Sequence, residues 1–404
     1  MLRARPLLAR TRLLGPAFVA AVAYVDPGNV ATNTSAGAGY GYLLLWVLVA
    51  ATLMAGLVQY LSAKVGWLSG ESLPALVGAR TGRAVRLAYW VQAELVAMAT
   101  DVAEVVGGAV ALDLLFDLPL VLGAVITASV STAVLFLSDR GGQRTFERVI
   151  TALLAVVTVG FLAGLLISPP DPAAAAAGLR PRLAGPDSAL IAVGMLGATV
   201  MPHAVYLHSA LVRDRHGAAD ASRAAPLLRA IRADVLLAMV VAGSVNLAML
   251  LLAAGTLSGT DVSGLEEVHA ALAGRLGTVV ATLFALGLLA SGVASTSVGG
   301  YAGAVIMAGL LRRRIPVLWR RVITAAPALV LLASGLDPTR LLILSQVVLS
   351  FGIPFALIPL VRLAGDTRLM RLVPTARLTL VLAWGVAAVI VGLNAALVVL
   401  LLRG

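Results

Sequence analysis

Apolar residues do not alternate with polar ones along this chain; they come in long uninterrupted runs. Runs of about 20 residues, the length an α-helix needs to cross a hydrocarbon core, recur from one end to the other. They read as eleven helical spans at approximately 13–38, 42–66, 86–114, 119–137, 147–168, 188–212, 233–256, 276–310, 321–335, 339–361 and 379–402. The alternating ten-residue segments of a membrane β-barrel do not occur. The pattern predicts an all-α polytopic membrane protein, a single transmembrane domain over 1–404. The segment 169–187 is then an external linker and 213–232 a basic cytoplasmic connector.

Two of the runs are interrupted, the first at 26–29 by Asp26-Pro27-Gly28-Asn29 and the sixth at 199–203 around Met201-Pro202-His203. Five crossings separate one break from the other. Because five is odd, the second group of five lies upside down relative to the first. Broken helices at matching places in inverted halves are the sequence mark of a transporter's central site. The predicted repeats are 13–168 and 188–361, with 379–402 as an added helix.

Composition agrees with this reading. The chain is 60% hydrophobic and only 12% charged, with mean hydropathy +1.00, so it lacks the charge to clothe a soluble globule. A net charge of +11 would suggest nucleic acid in a soluble protein, but its distribution points elsewhere. Twenty-five of the 30 basic residues fall in loops on one side of the predicted topology and five on the other. That asymmetry places the N-terminus in the cytoplasm and the C-terminus outside. The expected surroundings are a lipid bilayer, with no nucleic acid partner. All the basic residues but Lys64 are arginine, as in a GC-rich bacterial genome, so the expected membrane is the bacterial plasma membrane. The arginine-rich start and Ala21-Val22-Ala23 resemble a signal peptide. Against that reading, Pro16 interrupts the apolar stretch and cleavage would detach the segment leading into Asp26. There is no cysteine, so thiolate metal sites and disulfides are excluded.

Proline lacks an amide donor and prevents the carbonyl four residues earlier from completing its helical bond. Pro27 thus frees the carbonyl of Ala23, and Pro202 that of Ala198. In lipid a free carbonyl is costly unless something satisfies it, and a cation can do so. The Asp26 and Asn29 side chains and the Met201 thioether stand beside those carbonyls, and Gln346 in the tenth span could add another oxygen. In a soluble protein Asp-Pro-Gly-Asn is a turn. Within a membrane span an aspartate costs about 2.5–3.5 kcal/mol, which reverses the balance toward function. Met201 taken alone reads as core filling. One carboxylate, one amide, carbonyls and a sulfur suit Mn²⁺ or Fe²⁺ better than Mg²⁺ or Ca²⁺, which prefer all-oxygen shells.

Glu94, Asp101 and Glu104 in the third span lie at i, i+7 and i+10, on one helical face. They form a row about 15 Å long. The row can relay protons, or it can pair with Arg320 and Arg321 at the start of the ninth span. His203 beside the break and His208 are the histidines within spans. His203 is the better proton-carrier candidate, against a plain hydrogen-bonded role.

Together these segments resemble the natural resistance-associated macrophage protein (NRAMP) family of divalent-metal transporters, in its eleven-span bacterial manganese-transporter form. The matching stretches are 26–29, 197–203 continuing to Tyr206-Leu207-His208-Ser209, Glu94 with Thr100-Asp101-Val102-Ala103-Glu104, and Ser345-Gln346-Val347-Val348-Leu349-Ser350. They cover most of the chain. The resemblance implies a LeuT-like fold and uptake of Mn²⁺ or Fe²⁺ together with protons, with no permanently bound cofactor and no enzymatic activity. It maps metal ligands to Asp26, Asn29, the Ala198 carbonyl and the Met201 sulfur, with Gln346 joining in some states. His203, Glu94, Asp101, Glu104, Arg320 and Arg321 match positions tied to proton movement or gating. The chain departs from many relatives at Ala204 and Val293, where they carry amides. It is expected to work as a monomer.

Two other readings compete. An amino-acid or other organic-solute transporter of the same fold would hold a substrate carboxylate at helix N-termini, with little need for Asp26 or Met201. An intramembrane metalloenzyme would need His-Glu-x-x-His ligation or paired catalytic aspartates, and this sequence has neither.

Overall fold

The computed structural model describes residues 15–403 except 218, 259–263 and 314, and the side chains at 137–141, 317, 400, 401 and 403 are likewise outside its description. Arg3, Arg5, Arg10 and Arg12 of the predicted cytoplasmic start lie outside the described residues, as do Arg314 and the side chains of Arg140 and Arg403.

Helices α1 (Pro16–Val22) and α2 (Pro27–Tyr40) form the first crossing, joined by a 3-10 turn at Ala23–Val25. The second crossing is α3 (Leu45–Ser69), followed by the short α4 (Leu73–Arg80). Next come α5 (Arg83–Phe116), α6 (Leu120–Gly141) and α7 (Gln143–Ile167). The short α8 (Pro172–Gly178) leads to the sixth crossing, split into α9 (Pro186–Thr199) and α10 (Pro202–His216). The seventh is α11 (Ala224–Thr256), and α12 (Leu265–Leu276) connects it to α13 (Thr278–Leu310). Then α14 (Val317–Ala333), α15 (Pro338–Ala364) and α16 (Arg377–Arg403) complete the chain. Eight of these units are long and apolar enough to cross a membrane. The remaining crossings are the broken first, the fourth with its apolar stretch Leu120–Phe136, and the 17-residue α14.

Both breaks follow one local rule. The residue before a proline is driven out of the helical region, and Asp26 (φ −69°, ψ 166°) and Met201 (φ −75°, ψ 124°) are both extended. Proline's fixed φ suits the first helical position, where its missing N–H is not needed. Pro27 and Pro202 therefore start new helices. The unwinding falls on their N-terminal side, at 23–26 and 200–201, rather than across 26–29 and 199–203. Gly28 and Asn29 are helical. The basic connector is also shorter than the sequence suggests. Helix α10 runs on to His216 and α11 begins at Ala224, because Arg213, Arg215 and His216 favour a helix C-terminus. The linker 169–187 contains α8, packed through Gly178 against the Tyr42 carbonyl.

The molecule carries large apolar side chains on its surface and buries charged groups within a largely apolar core. Leu53, Leu166 and Leu402 are 70%, 87% and 81% exposed, whereas Asp26, Glu104, Arg320 and Arg321 are buried. That is the polarity of a protein solvated by lipid tails, which must satisfy its polar groups internally. In the core α5 packs on α13 and α15, α2 on α11, and α9 on α15. Two glycines permit the close approaches around the breaks. A Cβ on Gly107 would overlap the ring of Pro27, and one on Gly197 would overlap the Gln346 carbonyl.

Candidate metal site

Asp26 caps α2 with its own side chain. Its Oδ1 accepts hydrogen bonds from the Asn29 backbone N–H at 2.8 Å and from Asn29 Nδ2 at 2.7 Å. The same Nδ2 donates to the Ala198 carbonyl at 2.9 Å, linking the first break to the second. That carbonyl is the one Pro202 strips of its helical partner. On the third side Gln346 Nε2, from α15, reaches Asp26 Oδ2 at 3.3 Å. Asp26, Asn29, Ala198 and Gln346 are all fully buried. Four of the six residues singled out for metal thus form one hydrogen-bonded cluster. Met201 is the fifth, fully buried at the N-cap of α10 and three residues beyond Ala198. Ala23 is fully buried in the 3-10 turn on the α1 side. The neighbouring carbonyls are already served by side chains, Tyr24 by Asn246 Nδ2 at 2.6 Å and Val25 by the Ser291 hydroxyl.

The cluster is rich in unused oxygen. Asn29 Oδ1 and Gln346 Oε1 are buried without a hydrogen-bond partner among the described residues. A buried acceptor left alone costs about 1–3 kcal/mol. Among the described residues no three His, Asp or Glu side chains cluster as metal ligands would. The charge of this set is the one carboxylate of Asp26.

Gly28 belongs to the site for a steric reason the sequence reading did not assign. Its missing side chain is where the end of the Gln346 amide sits. The only hint in sequence was a glycine directly after a helix-starting proline, where conformational freedom is not required.

The charged row of α5 divides into paired and unpaired members. Asp101 binds Arg321 Nη1 at 2.6 Å, with both groups buried. Glu94 lies 3.6 Å from Arg320, which also donates to the Gly300 carbonyl at 2.9 Å. Glu104 is fully buried, and neither of its oxygens has a hydrogen-bond partner among the described residues. The Ser295 hydroxyl beside it is turned to the Gly292 carbonyl at 3.4 Å. His203 faces the row, its Nδ1 3.4 Å from Thr100 Oγ1 and its Nε2 unpartnered among the described residues. A cavity of about 470 Å³ lined by Glu71, Arg213, Asp214, Tyr301 and Arg313 reaches Arg320 from the basic side.

His208 sits in a different network, its Nδ1 2.6 Å from Gln59 Oε1, and Gln59 in turn bonds the Tyr24 hydroxyl. Asn246, which holds the Tyr24 carbonyl, accepts from Asn33 Nδ2 at 2.8 Å. This chain ties α10, α3, α11 and α2 around the first break. A further carboxylate, Asp234, accepts from the Gly15 and Ala17 amides at 3.0 Å and so caps α1. Isolated polar residues in apolar runs are the signal for both groups, and the sequence reading passed over Gln59, Asn246 and Asp234.

Comparison with known proteins places this architecture. The family model described as "Natural resistance-associated macrophage protein-like" matches residues 17–400. The "Divalent metal cation transporter MntH" of Mycobacterium tuberculosis is 58% identical over 394 residues, covering 97% of this chain and 92% of that protein. Its namesake in Deinococcus radiodurans is 46% identical, with 97% and 90% covered. Among solved structures, the Eremococcus coleocola manganese transporter superimposes with TM-score 0.83 at 32% identity, covering 96% of this chain and 86% of that one. MhsT in complex with L-phenylalanine, at TM-score 0.59 and 14% identity, shares the fold alone. The all-helical LeuT-like fold expected from the sequence, with its first and sixth crossings broken, is the one found. With matches of this length and identity, the chain belongs to the natural resistance-associated macrophage protein family.

Proposed function

We propose that this protein carries divalent transition-metal ions, Mn²⁺ or Fe²⁺, into the cell with protons by alternating access. The observation that carries the reading is the buried cluster in which Asn29 Nδ2 bridges the Asp26 carboxylate and the Ala198 carbonyl. An amide N–H there does what a cation would do, holding two oxygens of opposite broken helices together. A dication arriving between them displaces that N–H. Rotation of the two amides then presents Asn29 Oδ1 and Gln346 Oε1, the acceptors without partners among the described residues. Met201 supplies the sulfur that disfavours Mg²⁺ and Ca²⁺, and the relatives named for divalent metal and manganese support the same substrate class.

The cluster also weighs against an organic carboxylate as substrate. Asp26 already occupies the N–H of Asn29 at the start of α2 and would repel a second anion there. Two positive charges crossing the full field gain about 4.6 kcal/mol per 100 mV, which favours inward movement. Metal drawn to Asp26 displaces any proton it holds. In this reading Glu104 and His203, each with a buried atom unpartnered among the described residues, take protons onward, and the Asp101–Arg321 and Glu94–Arg320 pairs gate the row.

The remaining parts of the reading rest on sequence. The basic loops put the N-terminus in the cytoplasm and the C-terminus outside a bacterial plasma membrane. The repeats are 13–168 and 188–361 with 379–402 appended, and the working unit is a monomer. Uptake of radioactive Mn²⁺ into proteoliposomes, with and without an inward pH gradient, tests the function. Asp26→Ala is expected to abolish uptake, and uptake near the wild-type rate would overturn the proposal.

A further inference from the structure

Helices α3 and α11 leave a lateral groove of about 540 Å³ open to the lipid side of the molecule. Its walls are apolar, with Leu53 and Leu236 among the most exposed leucines in the chain. Its floor is opened by Gly56 and Gly243, which bring no side chain into it. Along α11 the lining runs from Arg232 through Leu236 and Val240 to Leu247, positions that share one face. Fifteen residues of helix span about 22 Å, more than the ~15 Å of hydrocarbon in one leaflet.

The groove has a polar end. Arg232 lies over the Tyr60 ring at 5.1 Å and donates to its hydroxyl at 3.1 Å. That contact fixes the guanidinium at the mouth of the trough while engaging only part of its five-donor fork. Neither Arg232 nor the exposed Arg229 one turn before it meets a carboxylate among the described residues. Lys64, one turn beyond Tyr60, adds to the positive field at Arg232. A second apolar groove, about 240 Å³ between Trp46, Met54, Leu183 and Leu397, has no charged residue in its lining. The contrast matters, because any lipid-facing groove takes acyl chains but only one with a fixed cation selects a headgroup.

We propose that the α3–α11 groove is a binding site for an anionic phospholipid, its phosphate on Arg232 and one acyl chain along the trough past Gly56 and Gly243. The lipid comes from the leaflet on the side of the basic loops. A lipid held there lies against the two helices that carry Gln59 and Asn246, the residues bracing the first break. Its occupancy therefore bears on the helices that must move in transport, whichever ion is carried.

The test uses the full chain in nanodiscs of equal phosphatidylglycerol and phosphatidylcholine, with retained lipid read by native mass spectrometry. Wild type is expected to retain phosphatidylglycerol over phosphatidylcholine by about fivefold, the ratio to which about 1 kcal/mol per basic residue near anionic lipid converts. Arg232→Gln should bring the ratio to about one, and Arg232→Lys should keep most of the preference. Gly56→Leu, which fills the trough where a new Cβ meets only Met239 at 3.7 Å, should lower retention of both lipids. An unchanged ratio in Arg232→Gln, or unchanged retention in Gly56→Leu, would overturn the proposal. Loss of the preference on adding millimolar inorganic phosphate would also overturn it, by reducing the site to a free-anion site.

Discussion

Replacing Gly28 with alanine adds one methyl group at a point where the end of the Gln346 side chain now lies. The obstacle is the far end of a flexible side chain and not backbone, so Gln346 rotates away and α2 stays in place. Overpacking of this kind costs about 1–3 kcal/mol, and the better helix propensity of alanine returns up to about 1 kcal/mol of it. The fold should survive. The loss is at the site, where Gln346, whose Nε2 stands 3.3 Å from Asp26 Oδ2, is turned away so that its Oε1 no longer reaches an ion beside Asp26. A polar contact to a charged group contributes about 1.5–3 kcal/mol, and the lower figure, for one neutral oxygen among several ligands, is equivalent to about tenfold in affinity. The apparent KM for Mn²⁺ uptake should rise about tenfold in Gly28→Ala, with a smaller change in maximal rate. Gln346→Ala should behave alike, and the double variant should be no worse than Gln346→Ala, because the new methyl then enters vacated space. A Gly28→Ala protein with wild-type KM would refute the steric argument, and so would full additivity of the two substitutions.

Two further outcomes follow from the ion pairs. Arg321→Met leaves Asp101 buried without its cation, which should cost about 3–5 kcal/mol and appear as a lowered melting temperature in detergent; Asp101→Asn in the same chain should restore more than half of it, and a single variant as stable as wild type would contradict the pairing. Outside the membrane spans, the hydrogen bond from Arg80, with the Leu369 and Arg368 amides, holds the Asp366 carboxyl below its ordinary value. A depressed carboxylate stabilises the fold above its unfolded pKa and loses that contribution as pH falls through the folded one. Removing Arg80 should thus cost something at pH 7 and nothing once Asp366 is protonated in both proteins. The pair is 46% and 25% exposed, so the difference between wild type and Arg80→Ala should stay under about 1 kcal/mol, and a difference that grows toward acid pH would reverse the assigned sign.

Crossings were legible because hydrocarbon imposes a length and excludes charge, two constraints written directly into the runs. The breaks were legible because proline acts locally. Their extent was not, since a proline both ends one helix and begins the next, and local chemistry alone assigns Gly28 and Asn29 to either side. The Arg320 and Arg321 partners could be named in advance for a similar reason: a buried carboxylate needs a cation, and few stood at the right depth. Which carboxylate each took could not, and the outcome pairs Asp101 with Arg321, Glu94 with Arg320, and leaves Glu104 without a cation among the described residues.

The same division explains the Ala23 and Ala198 carbonyls, which sequence treats as equivalent because each lies four residues before a proline. In the fold they are not. The Ala198 carbonyl meets Asn29 across the gap between the halves, whereas beside Ala23 a 3-10 turn redirects the chain and Asn246 and Ser291 serve the next two carbonyls. A proline specifies which carbonyl loses its helical bond, a consequence of covalent geometry. What then satisfies that carbonyl depends on residues more than 160 positions away, and only the packing of α2 against α9, α11 and α13 decides it.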